Sequence, residues 1–177
     1  DLTLVGVVDA DLGLEGGDLR AAERTYQQVA QVAGRAGRGA KPGEVLIQTR
    51  HPEAPVIAAL ASGERDAFYE AEAQGRAQAG APPYGRWAAI IVSSEDEADA
   101  RDAARAIGGA RPALPDVAIL GPAPAPLALL RGRYRYRLLI NARRSARLQD
   151  IIRQWLDPFR FPASVRIAID IDPYSFV

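Results

Sequence analysis

The sequence predicts an α/β segment followed by an α+β segment, and three observations carry that reading. Residues 2–8 (LTLVGVV) form an unbroken apolar run of strand length, the kind that lies buried in a parallel sheet. Gly80-Ala81-Pro82-Pro83 halts the chain midway, because proline cannot continue a helix and biases the residue before it away from one. Beyond that stop, strand and helix patterns alternate as βαββαβ, the order of a four-stranded antiparallel sheet with two helices on one face.

Each element follows from local chemistry. Residues 9–17 are polar and glycine-containing and read as a loop. Asp18 is an N-cap candidate for a helix over residues 19–33, whose apolar stripe is Tyr26, Val29, Ala30 and Ala33 at i, i+3, i+4 and i+7. Lys41-Pro42-Gly43 is a turn before a second strand at 44–49. His51-Pro52 leads to a short helix at 54–62, which Gly63 breaks, and 65–79 is a further helix rich in Ala and Glu. In the second half, 87–93 is a strand and 95–107 a helix with acids in its first turn, where the macrodipole favours them. A short strand at 117–120 precedes the Pro-rich stretch 121–126. Residues 133–141 form a strand, 145–159 a helix with Leu148, Ile151, Ile152 and Trp155 or Leu156 on one side, and 165–171 (VRIAIDI) a closing strand.

Composition removes several function classes. The chain has 177 residues, 22 Lys+Arg against 22 Asp+Glu, one His and no Cys. Without Cys there is no disulfide framework, zinc ribbon or cysteine nucleophile in this segment, and one His excludes a multi-histidine metal site. No apolar run reaches the roughly 18 residues of a membrane span and no signal peptide opens the chain, so the reading is a soluble, cytoplasmic protein. Met is absent even at position 1, which points to a piece of a longer chain. The neutral total hides a segregation: residues 131–149 hold seven arginines and no acid, while 95–102 (EDEADARD) is mostly acidic. His51, Asp9, Asp11, Tyr84 and Trp87 read as capping, loop-entry and packing residues, and Asp170 and Asp172 as a same-side pair shaping the terminal turn.

Two constellations carry chemistry. In the first, Gln31, Arg35 and Arg38 stand at i, i+4 and i+7, so a helix running through them aims all three one way. Arg20, Arg24 and Gln27 extend the stripe backwards, and Gly34 and Gly37 leave room for another surface to approach. A solvated helix end satisfies the same spacing. The whole string, Gln-x-x-Gly-Arg-x-Gly-Arg after a strand and a helix, resembles motif six of superfamily-two helicases. Further blocks narrow the resemblance to the PriA family of primosomal replication-restart helicases. These are Val7-Val8-Asp9-Ala10-Asp11, Arg20-Ala-Ala-Glu-Arg24, Ala81-Pro-Pro-Tyr84, Leu120-Gly-Pro-Ala-Pro-Ala-Pro126, Arg131-Gly-Arg-Tyr-Arg-Tyr-Arg137 and Asp170-Ile-Asp-Pro-Tyr-Ser175.

The resemblance implies that residues 1–62 are the C-terminal part of a second RecA-like helicase lobe, 63–82 a helical linker, and 83–177 a DNA- and partner-binding domain. It implies that Arg35 and Arg38 are arginine fingers for the γ-phosphate of ATP, with Gln31 a polar positioner beside Gly34 and Gly37. A finger is worth about 10³–10⁵ in rate, because the transferring phosphoryl spreads charge over its oxygens. In the family, the remaining ATP and Mg²⁺ groups and a Zn²⁺ site lie upstream of this segment, so the chain alone is expected to lack ATPase activity.

The second constellation is the Arg/Tyr strand. Alternation puts Arg131, Arg133, Arg135 and Arg137 on one side and Tyr134, Tyr136, Leu138 and Ile140 on the other, with Arg143 and Arg144 beyond. Arginines without acids repel one another, and a phosphate backbone would satisfy them. A solvated face that discourages edge-to-edge aggregation is the alternative reading. The family favours contact with single-stranded and forked DNA. It also implies a pocket for the acidic tail of single-stranded DNA-binding protein, assigned to Arg147 and Gln149, and contacts with other primosome proteins at the bacterial nucleoid. Another superfamily-two translocase and a stand-alone nucleic-acid-binding module remain the competing readings.

Overall fold

The computed structural model describes residues 2–14, 20–36 and 42–173. Asp18, Leu19, Gly37, Arg38, Lys41, Tyr174 and Ser175 lie outside them. The chain divides into two compact units, Asp1–Ala73 and Gln74–Val177.

In the first unit, strand β1 (Leu4–Val7) lies parallel to β2 (Glu44–Ile47), with Leu4 opposite Glu44 and Val7 opposite Ile47. Between them come a 3-10 turn at Ala10–Gly13 and helix α1 (Ala21–Ala33). Helix α2 (Pro55–Ser62) and most of α3 (Arg65–Gln78) follow. α2 begins with Pro55, whose missing N–H costs nothing in a first turn, and ends at Gly63, whose φ of 76° is a left-handed cap. The core joins Ala10, Tyr26, Val56, Ile57, Ala59 and Phe68, with the Tyr26 and Phe68 rings stacked at 5.0 Å. Two expectations change here. The run at 2–8 is covered on one side only among the described residues, since Val5 is buried but Leu2, Leu4, Val8 and Leu46 are exposed. And the stripe through Gln31 does not continue to Arg35: α1 stops at Ala33, where its pattern ends it, and the Arg35 and Ala36 N–H groups reach back only three residues, to Val32 and Ala33, so Arg35 sits in a turn. Gly34 and Gly37 are poor helix formers, which is why propagation fails at this point.

The second unit contains β3 (Gly85–Ser94), α4 (Glu97–Gly109), β4 (Val117–Leu130), β5 (Arg133–Arg143), α5 (Leu148–Leu156) and β6 (Arg166–Ile171). The sheet order is β4-β5-β3-β6 with every neighbouring pair antiparallel, a split β-α-β arrangement. Both helices cover one face. Ala103, Ala104 and Ile107 of α4 and Leu148, Ile152 and Trp155 of α5 pack on Ala88, Ile90, Val92, Leu138, Ile140 and Ala142. Asp96 caps α4 by accepting from the Asp99 N–H at 3.0 Å, and the Trp155 Nε1–H donates to the Ile107 carbonyl at 3.1 Å.

Three further expectations change in this unit. β4 does not stop at Leu120 but runs on through the Pro-rich stretch. It is an edge strand, where proline gives up no ladder bond, and register shifts between Leu120 and Ala123 and between Pro124 and Leu129 absorb the prolines. Gly121, at φ 95°, makes the first shift possible, because a Cβ there would stand 2.7 Å from the Arg137 carbonyl oxygen. α5 is shorter than 145–159, beginning at Leu148 after a turn and ending at Leu156 ahead of Asp157-Pro158. Finally, Asp172 does not share a face with Asp170. Its φ of 52° takes it off the strand, and it accepts from Arg86 Nη2 at 2.7 Å and from the Trp87 N–H.

Candidate nucleic-acid interface

The register of the sheet sorts the arginines. Along β5, Tyr134, Tyr136, Leu138, Ile140 and Ala142 pair with Ser94, Val92, Ile90, Ala88 and Arg86 on the helix-covered face. Arg135 and Arg137 pair with Ser93 and Ile91, and these, with Arg133, belong to the opposite, open face. β6 adds Arg166, which pairs with Ser93 from the other side, and Ala168 and Asp170 below it. Arg135, Ser93 and Arg166 therefore form one row across three adjacent strands.

The arginines in this group are not equivalent. Arg133 is largely buried, its side chain 15% exposed, and is consumed by the fold. It donates to the Ser93 Oγ and carbonyl at 3.4 and 3.0 Å and to the Ser164 carbonyl at 2.5 Å, with Glu95 at 3.3 Å. Among the described residues Arg135 reaches only the Leu127 carbonyl in the bulge of β4, at 3.4 Å. Burial, and secondarily the neighbouring Arg135 charge, push the Arg137 guanidinium below its ordinary pKa. A face that disfavours its own charge is one that an anion would relieve. Arg166 carries no ion pair among the described residues. On the covered side, burial raises the Tyr136 phenol, helped by its hydrogen bond to Glu97 at 3.2 Å.

Other proposed residues lie elsewhere. Arg131 is not part of the alternating row. It occupies the two-residue turn between β4 and β5, where Arg131 and Gly132 both have positive φ (51° and 73°), as a type I′ hairpin requires. Arg143 and Arg144 stand at the far end of β5, about 27 Å from Arg135 at strand rise. Arg143 pairs with Asp116 at 2.9 Å, whereas Arg144 has no partner among the described residues. Both line a concavity of about 700 Å³ with Tyr84, Asn141 and Ser145. Arg147 ends in an ion pair with Asp150 at 2.7 Å. Gln149 accepts from Arg86 Nη1 at 3.3 Å and borders a groove of about 460 Å³ between α5 and β6, lined by Ile152, Arg153, Leu156, Ile169 and Ile171. Arg86, Ser93 and Arg166 escaped the sequence reading. The alternation of VRIAIDI places Arg166 and Asp170 on one side, but only the strand order brings Arg166 beside Ser93.

In the first unit, Gln31 and Arg35 are exposed, away from the Tyr26/Val29 side of α1. Asp11, expected at a loop entry, is buried. Its carboxylate accepts from Thr49 Oγ1 at 2.5 Å and the Arg50 N–H at 2.7 Å, and these bonds hold it below the ordinary carboxylate range. It ties the ends of β1 and β2 together. Among the described residues no cluster of His, Cys, Asp and Glu is placed to hold a metal ion, and no helix is long and apolar enough to cross a membrane.

Comparison with known proteins agrees with this architecture. The family described as Primosomal protein N C-terminal domain matches residues 77–174, the second unit almost entire. Replication restart protein PriA of Rickettsia conorii is 42% identical over 176 residues, 99% of this chain and 27% of the relative. The Bacillus subtilis PriA is 37% identical over 182 residues, 100% of this chain and 23% of its own. The Haemophilus influenzae PriA is 34% identical, over 98% and 24% respectively. The chain thus spans about a quarter of the length of these relatives. With the family match covering more than half of its residues, the chain belongs to the PriA family of primosomal proteins.

Proposed function

We propose that this chain is the C-terminal part of an ATP-dependent 3′–5′ DNA helicase that recognises stalled or forked DNA and restarts replication by primosome assembly. In this reading the second unit binds single-stranded and forked DNA through the open face of its sheet. The first unit is the tail of a RecA-like lobe. The observation that carries the reading is the identity to replication-restart proteins, 34–42% along both units together. Two physical features support it. Parallel strands are ordinarily covered on both sides, and the bare Leu2, Leu4 and Leu46 side of β1 and β2 suits a layer that more chain completes. Exposed Arg35, with no partner among the described residues, suits a finger that reaches a nucleotide held on another lobe, and Arg38 would be the second. When bound there, ATP supplies the phosphoryl group whose developing charge these guanidiniums would stabilise. Mg²⁺ and Zn²⁺ would be held by residues upstream of this segment.

A titration of this chain with fork DNA, with and without a peptide copy of the acidic tail of single-stranded DNA-binding protein, tests the reading. Salt-sensitive binding of the fork is expected, as is binding of the peptide that weakens when Arg147 and Gln149 are replaced. The isolated chain should show no ATP hydrolysis. Absence of fork binding at low salt, or measurable turnover of ATP by the chain, would overturn it.

A further inference from the structure

We infer that the row Arg135–Ser93–Arg166 is a phosphate track for single-stranded DNA that crosses the strands of the sheet, with Arg166 as a DNA contact and Arg133 as a positioning residue. The inference rests on the proposed DNA binding and adds a path and a division of labour to it.

The argument starts from register. Ser93 lies on β3 between Arg135 of β5 and Arg166 of β6, each directly opposite it. Neighbouring strands are about 4.8 Å apart, so the two arginine backbones flank Ser93 at about 10 Å from each other. The two guanidinium side chains and the short hydroxyl between them therefore form one basic line across three strands. Its middle member is held by the fold. Arg133 donates to the Ser93 Oγ, which accepts there and keeps its own O–H proton to donate elsewhere. Arg133 also pins the Ser93 and Ser164 carbonyls, holding the start of the β6 segment against β3.

Charge decides the occupant. No carboxylate bonds Arg135 or Arg166 among the described residues, although Glu95 takes Arg133 and Asp172 takes Arg86. Arg137, one row on, loses charge stability from burial and from Arg135. Asp170 stands four residues along β6 from Arg166, on the same face, and bounds the basic strip on that side. An acidic peptide would meet the same cations. The row itself is two arginines and a serine, with Ile91 one row on, unlike the groove beside α5, which Ile152, Leu156, Ile169 and Ile171 line. A flexible polyanion with regularly spaced charges suits it better.

The test is fluorescence anisotropy of the whole chain with a labelled oligo-dT across a salt series. Each lost phosphate contact should reduce the log–log salt slope by about 0.7. Arg166→Ala and Arg135→Ala are each expected to do so and to weaken binding several-fold at low salt, with Arg166→Lys restoring the slope. Ser93→Ala should weaken binding a few-fold without changing the slope, because it removes a neutral donor. Arg105→Ala, an exposed arginine on α4 over the covered face, is the control and should match the unaltered chain. Thermal melts establish that each variant is folded. If the chain binds oligo-dT and Arg166→Ala keeps the slope of Arg105→Ala, the track is wrong while DNA binding stands. If an acidic peptide displaces the oligonucleotide only when Arg166 is intact and binds more tightly than it, the occupant is wrong. If the unaltered chain binds no DNA, the function proposed above fails first.

Discussion

The two units spend their apolar residues differently. In the second, every strand of a four-stranded sheet is paired and both helices lie on one face, closing a core in which Ile90, Leu138 and Ile140 are at most 1% exposed. Among the described residues of the first, two parallel strands and three helices surround a small aromatic cluster, while Leu2, Leu4, Val8 and Leu46 face outward, Val8 at 79% exposure. The comparison teaches that strand-like hydrophobicity does not by itself declare a finished domain. The second unit carries its own partners, whereas the first leaves one side of β1 and β2 bare among the described residues.

The largest test of this contrast separates the units. Residues 74–177 alone should unfold in urea with one cooperative transition, whereas residues 1–73 alone should show none. A sharp transition for the shorter piece would erase the distinction. Next come paired core substitutions in the intact chain. Ile140→Ala should cost about 2–5 kcal/mol by denaturant titration, since it leaves a cavity in a closed core. Leu46→Ala should change stability by no more than about 0.5 kcal/mol, as surface substitutions do. Similar losses at both positions would mean that the outer side of β2 is covered. Within the basic strip, Arg133→Ala should cost about 1–3 kcal/mol, because it strands the carbonyls and hydroxyl it now satisfies. Arg144→Ala should leave the melting temperature unchanged.

The last expected effect is a pH effect confined to the first unit. The folded-state pKa of Asp11 is depressed by Thr49 and the Arg50 N–H. Its contribution is therefore complete above the unfolded pKa and is lost as pH falls through the lower folded value, below about pH 4. Hydrogen exchange of the α1 amides should accelerate over that range in the native chain. Asp11→Asn should flatten the acid dependence, and an unchanged profile would detach Asp11 from the stability of this unit.

Much of this was legible along the chain. The βαββαβ order, the helix stop at Gly80-Ala81-Pro82-Pro83 and the Arg/Tyr alternation on β5 each rest on a local period or a backbone constraint, and the fold agrees with them. Where the reading slipped, a nonlocal term had won. β4 keeps its strand through Pro122, Pro124 and Pro126 because it occupies the sheet edge, a fact about neighbours. Arg131 leaves the row because the hairpin needs positive φ at the residue before Gly132.

What the residues themselves decided, then, is which segments are helix or strand and which side of β5 is basic, because alternation and helical repeat are set by the chain's own geometry. What only the tertiary structure decided is which charges remain available. Arg133 and Arg135 are two residues apart on one strand and look alike in the sequence. Ser93, Glu95 and Ser164 close around Arg133, while among the described residues only a bulge carbonyl reaches Arg135, and Arg166 joins it from 31 residues further along the chain. A guanidinium's fate depends on the acceptors packed near it, and those acceptors are brought there by strand pairing.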